Sequence, residues 1–399
     1  MTNSNKTALA CAVSLLLSTQ AYAGVSTADA RAVAMAGTGV SNASYLTAPF
    51  HNPALAALYE QTDDFGLLLP GIGAQLNDTS DVLSRVDDAQ DLYESLTQQS
   101  DSGSTISDDD VQSLDTLMDK LADAHPVTLE AAVGFAIAIP NRFLSVNLFA
   151  DSYADIDVIT SVASEATTTL VSSSSSSEAV AERYEDSELD IAGILVSEVG
   201  VSLARRVELG GQQLSFGLSP KIQRFTTYLT STTLDDFSLG DYDDNKKVSS
   251  GANLDAGVVW QYPLGAQTIN AGLAVKDIFE RDVKTVDSTV KYQLRPKATA
   301  GISYSNPFFT AALDADINKT PRFTSIDDAT QFVRVGMEVN AFKLIQLRGG
   351  FAHDMQNNTD DTFTAGLGFS PFDTVHFDLS ASYAGTHELG AGLNLMLTL

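Results

Sequence analysis

The stretch Leu389-Gly390-Ala391-Gly392-Leu393-Asn394-Leu395-Met396-Leu397-Thr398-Leu399 decides the fold class. Leu389, Ala391, Leu393, Leu395, Leu397 and Leu399 share one parity, and Gly390, Gly392, Asn394, Met396 and Thr398 share the other. A period of two belongs to a strand whose successive side chains meet different surroundings. The same pattern recurs upstream. Val375, Phe377, Leu379, Ala381 and Tyr383 oppose His376, Asp378, Ser380 and Ser382. Val333, Val335, Met337 and Val339 oppose Arg334, Gly336, Glu338 and Asn340. Leu254, Ala256, Val258, Trp260 and Tyr262 oppose Asp255, Gly257, Val259 and Gln261.

Extended over the chain, this reading places strands near 63–76, 126–139, 143–157, 189–207, 212–228, 252–262, 267–278, 291–305, 308–317, 330–341, 344–354, 362–370, 374–384 and 388–399. These are roughly fourteen segments of about ten residues, the length that crosses a bilayer when tilted. The connections alternate. Long ones run over 77–125, 158–188, 229–251, 279–290, 318–329 and 355–361. Short ones fall at Pro140-Asn141-Arg142, Leu209-Gly210-Gly211, Pro263-Leu264-Gly265, Asn306-Pro307, Phe342-Lys343 and Pro371-Phe372-Asp373. The last long-side connection, Gly385-Thr386-His387, is short. Tight turns on one side and long loops on the other are the rhythm of an outer-membrane barrel. An edge strand left unpaired in hydrocarbon is too costly to persist, so an even antiparallel sheet closes. The expected fold is all-β: an antiparallel transmembrane β-barrel of about fourteen strands over 61–399, with a short helical insertion in an external loop and an N-terminal plug.

Composition limits the function classes. The chain has 399 residues, 51 acidic and 23 basic side chains, and a formal net charge of −28. Nucleic acid is excluded as a partner, because phosphate binding needs clustered Lys and Arg. The N-terminus reads as an export signal, with Lys6 before an apolar run from Ala8 to Leu17. Ala21 and Ala23 then give the small-x-small pattern before Gly24, so 1–23 is a signal peptide cleaved ahead of Gly24. Cleavage removes the single cysteine, Cys11, which excludes a disulfide, a thiolate metal site and a thiol nucleophile in the mature chain. Beyond the signal no apolar run reaches the ~18 residues of a spanning helix.

Two external loops carry features of their own. In 77–125, Val82, Val86, Ala89, Tyr93 and Leu96 recur at helical spacing, as do Val111, Leu114, Leu117, Met118 and Leu121. They predict two acidic amphipathic helices joined by Asp108-Asp109-Asp110 and packed as a cap over the barrel mouth. In 158–188 the Ser172 to Ser177 run is low-complexity.

The segment 24–60 lacks strand alternation and is rich in Ala and Gly. Gly37 and Gly39 allow positive φ or close backbone approach, and Pro53 restricts Asn52. Such a segment suits a plug threaded into a lumen. The A-x-A-M-x-G-T-G-V string over 32–40 and the His51-Asn52-Pro53-Ala54 tetrapeptide resemble the N-terminal hatch of FadL-like long-chain fatty-acid transporters. A closer resemblance is to the outer-membrane family of conjugal transfer protein TraF (plasmid transfer operon TraF). It rests on Asp29 to Leu58, with the core Tyr45-Leu46-Thr47-Ala48-Pro49-Phe50-His51-Asn52-Pro53-Ala54. The resemblance implies a fourteen-strand barrel with a plug, and passage of hydrophobic or amphipathic small molecules past Asn52, Pro53 and Ala54. The alternative it leaves open is a structural or assembly component of conjugal transfer without transport. Two departures stand out. Outer-membrane barrels usually end in an aromatic residue, and this chain ends in Leu399. The thioredoxin-like protein that shares the TraF name needs a Cys-x-x-Cys, which is absent.

No catalytic motif, metal set or cofactor is expected, and the chain reads as a non-enzyme. The five histidines lack ligand spacing, and Asp241-Tyr242-Asp243-Asp244-Asn245 lacks the Gly and distal Glu of a calcium loop. The expected partners are outer-membrane lipid and lipopolysaccharide, the latter bridged to external carboxylates through divalent cations. A hydrophobic small-molecule ligand and the conjugation machinery complete the set. Arg205, Arg206, Lys221, Arg224, Arg334 and Arg348 lie in strands and are expected to face acidic partners in the lumen.

Overall fold

A computed structural model describes residues 28–164, 173–235, 246–286, 290–324, 326, 328–341, 344–384 and 389–399. The signal peptide with Ala21, Ala23 and Gly24, the Asp241–Asn245 stretch, Phe342-Lys343 and Gly385-Thr386-His387 lie outside the described residues.

Parity builds the wall. Strands β1 (Gly66–Asn77), β2 (Val127–Ile139), β3 (Ser145–Ser161), β4 (Glu188–Leu209), β5 (Gln212–Thr233), β6 (Lys246–Leu264) and β7 (Gln267–Lys276) form its first half. Strands β10 (Lys297–Asn306), β11 (Phe309–Asp316), β12 (Phe332–Ala341), β13 (Ile345–Asp354), β14 (Thr362–Phe369), β15 (Val375–Tyr383) and β16 (Leu389–Thr398) form the second. Each pairs antiparallel with its neighbours, and β1 joins β16 to close the barrel. Just beyond that seam, Leu399 and Phe65 exchange backbone hydrogen bonds of 2.8 Å. The faces follow the alternation. Along β15 Phe377, Leu379 and Tyr383 point outward while Asp378, Ser380 and Ser382 are buried. Val199 (64 % exposed), Ile222 (69 %) and Phe363 (59 %) belong to an apolar outer belt, as on barrels whose outer face meets hydrocarbon.

Three features differ from the sequence expectation. The single strand expected over 291–305 is two. Arg295-Pro296 interrupts it, since proline offers no N–H to a ladder. Lys297 begins β10, while β9 (Lys291–Leu294) pairs with β8 (Arg281–Lys284) in a separate hairpin over the mouth. Strand length is also uneven: β4 and β5 have 22 residues each, whereas β11 and β14 have 8. One side of the wall therefore rises well above the other. Finally, Arg205 and Arg224 share the parity of outward Leu203 and Ile222, so they do not face the lumen.

Above the tall side sit helices α3 (Val82–Asp101), α4 (Asp108–Ala122) and α5 (Ser173–Glu185). Val82, Val86 and Ala89 pack on Leu114, Met118 and Leu121, as their spacing predicts. Asp108-Asp109-Asp110 is the first turn of α4 and not a linker; Ser107 caps it, and acidic side chains suit a helix N-terminus. Helix α5 has no counterpart in the sequence reading. Arg183 anchors it to Asp115 and Asp119 at 2.8 Å each, and Tyr184 stacks on Tyr93.

Candidate functional site

Residues 28–58 lie inside the barrel. They comprise α1 (Ala30–Ala34), α2 (Ala48–His51) and a 3-10 turn over Pro53–Ala57, and the side chains of these elements are buried apart from that of Arg31, which is half-buried. Small residues make this possible, because the lumen has no room for bulk against its wall. The wall yields in turn by presenting glycine. A Cβ at Gly71 would come within 1.8 Å of the Ala28 carbonyl oxygen, at Gly217 within 2.2 Å of the Pro53 carbonyl carbon, and at Gly272 within 2.4 Å of the Val40 carbonyl oxygen. Gly257, Gly336, Gly350 and Gly366 meet Asn52, Met35 or Ala34 in the same manner. Several of these glycines are cross-strand partners: Gly71 with Gly134, Gly217 with Gly257, Gly272 with Gly301, Gly336 with Gly350. Together they form a belt against which the backbone and short side chains of the segment pack closely.

Each residue of the 37–54 motif has a distinct task. Ala36 (φ 57°) and Gly37 (φ 82°) take the left-handed conformation that ends α1. Gly39 serves close approach: a Cβ there would lie 2.3 Å from Nδ1 of His51. His51 Nε2 is 3.0 Å from Oδ2 of Asp29, whose Oδ1 accepts from the N–H groups of Arg31 and Ala32. Asn52 Nδ2 donates to the Val40 carbonyl at 2.9 Å, and its Oδ1 accepts from Ala54 N. Pro53 starts the 3-10 turn, where its missing N–H costs nothing, and Ala54 is fully buried. Gly39, His51 and Asn52 thus come together around Asp29 and Val40.

The wall holds this segment through polar contacts. Arg31 meets Glu338 at 2.8 Å, and Arg348 bridges Glu338 (2.7 Å) and Asp378 (2.5 Å). Asp314 Oδ2 accepts from the N–H groups of Gly39 and Val40. Lys276, Asn147, Asn270 and Arg206 donate to backbone carbonyls of Phe50, Tyr45, Ser41 and Ala57. Lys221, Arg334 and Arg348 do face carboxylates, whereas Arg206 faces a backbone carbonyl. Sequence reasoning missed Asp29, Arg31, Glu338 and Asp314 as functional residues. The available signal was polar residues and glycines at inward parity on successive strands. Burial pushes the Asp29 carboxyl up, but its hydrogen bond and charge interaction with His51, aided by Arg31, outweigh this and hold it well below the usual carboxylate range.

Above the segment is a cavity of about 230 Å³. Its floor includes Val40, Phe50 and His51, and its roof includes Tyr292 and Arg322 from the mouth. The roof is held by an apolar cluster of Phe225, Val283, Tyr292, Leu294 and Phe323 and by an Arg322–Glu130 ion pair of 2.8 Å. A second, apolar groove opens on the outer wall, lined by Leu67, Phe135, Leu148, Val199 and Ile222. There the β1 register shifts beside Pro70, and the β4–β5 ladder lapses opposite Pro220. Among the described residues no group of His, Asp or Glu is placed to hold a metal ion.

Residues 49–316 match the family described as "F plasmid transfer operon, TraF, protein". The chain belongs to this TraF family. No curated protein matches it by sequence. Among solved structures, the TodX deltaS2S3 mutant monoaromatic hydrocarbon channel is similar over 92 % of this chain and 97 % of its own, at 10 % identity and a TM-score of 0.51. The toluene transporter TbuX of Ralstonia pickettii is similar over 92 % and 96 %, at 13 % identity and a TM-score of 0.49. At this identity the likeness is one of fold: this TraF-family chain shares a closed antiparallel barrel with the TodX channel.

Proposed function

We propose that the protein is a non-enzymatic outer-membrane barrel in which residues 24–60 act as a plug, and that a small amphipathic or hydrophobic solute passes when this plug shifts. Export follows cleavage of 1–23 between Ala23 and Gly24. The observation that carries the reading is how the segment over 28–58 is seated. It rests on a glycine belt through separate hydrogen bonds and ion pairs, beneath a cavity, and is joined covalently to the wall where the chain runs on into β1. Contacts of this kind each contribute about 0.5–3 kcal/mol net and can be exchanged singly. The outer apolar groove supports a solute with hydrophobic surface, and the charged cavity supports one that also carries polar groups. TodX, a monoaromatic hydrocarbon channel of similar fold, agrees with such a solute class.

Deleting Asp29 to Leu58 tests this. Vesicles carrying the deleted barrel should become permeable to small solutes that intact protein excludes, and unchanged permeability with a correctly folded barrel sinks the proposal. A second reading, an assembly component of plasmid transfer, is favoured by the family description and by the acidic helical cap. Loss of mating on removal of the cap, with permeability of the plug-deleted barrel unchanged, would select it.

A further inference from the structure

We propose that the outer face of β3 to β6 is a docking site for a phosphorylated lipid with several acyl chains, of the kind lipid A presents. Arg224 takes a phosphate, and the apolar groove beneath it takes the chains. This rests on the outer-membrane placement of the barrel and is independent of solute passage.

The outward residues of these strands lie in rows set by the ladder register. Ser152, Ser197, Arg224 and Ser250 make one row, read from β3 to β6. Ser152 donates to the Ser197 hydroxyl at 2.8 Å, and Arg224 and Ser250 are exposed. The row directly below is wholly apolar: Phe135, Ala150, Val199, Ile222 and Ala252. All of these line the outer groove, which runs from Leu67 on β1 to Ala252 on β6.

Above the polar row the surroundings change again. Val158 and Ile191, cross-strand partners of the same outward parity, are buried under helices α3, α4 and α5. The polar row thus divides a helix-covered wall from an open apolar one. Its height fits a membrane boundary. From Gln212 at the short turn, β5 climbs roughly 30 Å to Arg224, at ~3.3 Å per residue and a tilt of ~40°. The apolar band of a barrel is about 25 Å tall, so Arg224 stands just past its upper edge. A lipid-facing cation is costly at the middle of a bilayer and tolerated at its boundary, where it meets headgroups.

Arg224 forms no ion pair or hydrogen bond among the described residues. Within two rows of it, the outward positions of β3 to β6 include no carboxylate. A guanidinium offers a planar fork of donors that matches a phosphate, and the hydroxyls of Ser197 and Ser250 lie on either side of it. The groove selects the rest of the lipid. It crosses neighbouring strands from β1 to β6, roughly 24 Å at ~4.8 Å per strand, a breadth that takes several acyl chains side by side. A lipid with two chains fills only part of it.

The test is native mass spectrometry of the purified full chain in mild detergent, with lipid A, the same lipid stripped of its phosphates, and phosphatidylglycerol. Lipid A should bind tenfold or more tightly than either of the others. Arg224→Gln should weaken it tenfold or more, and Ala252→Trp, which fills the groove, should weaken both forms of the lipid. Arg205→Gln removes an outward arginine close to the short turn and should leave binding unchanged. All three variants should keep the heat-modifiable gel mobility of a folded barrel. Equal binding of the stripped lipid or of phosphatidylglycerol, indifference to Arg224→Gln or Ala252→Trp, or an equal loss in Arg205→Gln overturns the assignment. The membrane placement fails separately. Recovery of the chain with soluble proteins sinks the placement, whereas a membrane-recovered barrel that ignores the phosphates sinks the docking site alone.

Discussion

Gly39 lacks a side chain because the imidazole of His51 occupies its place. Gly39→Ala must push the ring off Asp29, an overpacking cost of about 1–3 kcal/mol. The expected outcome is that the Arg31–Ala32 bond, protected in the wild type, becomes sensitive to trypsin in the folded barrel. The Asp29 carboxyl, held below its ordinary value, makes a signed prediction about pH. A carboxylate whose folded-state pKa is depressed below ~3.9 stabilises the fold at every pH above that value and loses its contribution only as pH falls beneath it. Hydrogen exchange at Ala32 and Val33, corrected for intrinsic rates, should therefore rise as pH falls below about 4, and Asp29→Asn should remove that rise. The sequence offered positive φ or close approach for Gly37 and Gly39 alike; the structure has the first at Gly37 and the second at Gly39. Asp29 was not, because one acidic residue among 51 carries no mark of the histidine that will meet it.

Strands declare themselves through parity, which is why their positions emerged from the sequence to within a few residues along most of the wall. The exceptions have physical causes. Pro296 cut one expected strand in two, and alternation continued through Lys291–Leu294 because that piece is a strand too, paired elsewhere. Helix α5 was hidden by serine, which gives neither apolar spacing nor a strong helix preference. The glycine belt was present in the sequence as residues but not as an object, since its members lie on separate strands. It makes a prediction at this scale. Gly336→Val would drive a side chain into Met35 and Thr38, so it should unseat the plug and raise vesicle permeability while the barrel keeps its boiling-dependent mobility. Unchanged permeability would show that the belt does not set the seat.

The whole molecule combines a closed wall, an apolar outer belt and a wall of unequal height. Fractionation should recover it with the outer membrane, and unboiled samples should migrate faster than boiled ones; recovery as a soluble periplasmic protein would refute the membrane assignment. Fold class was readable because lipid on one side and lumen on the other imprint every strand alike. The cavity was not readable, for it draws on strands from β1 to β12 and on the mouth at once. The β1–β16 seam has one further consequence, for the order of assembly. Residues 28–58 precede β1 and end up encircled by the wall that β1 completes with β16. A finished ring admits them only end-on, through the rim where Phe65 meets Leu399. The N-terminal segment must therefore either be in place before the last two strands zip together or be threaded in afterwards through that rim, and a cross-link that fastens the seam early will distinguish the two histories.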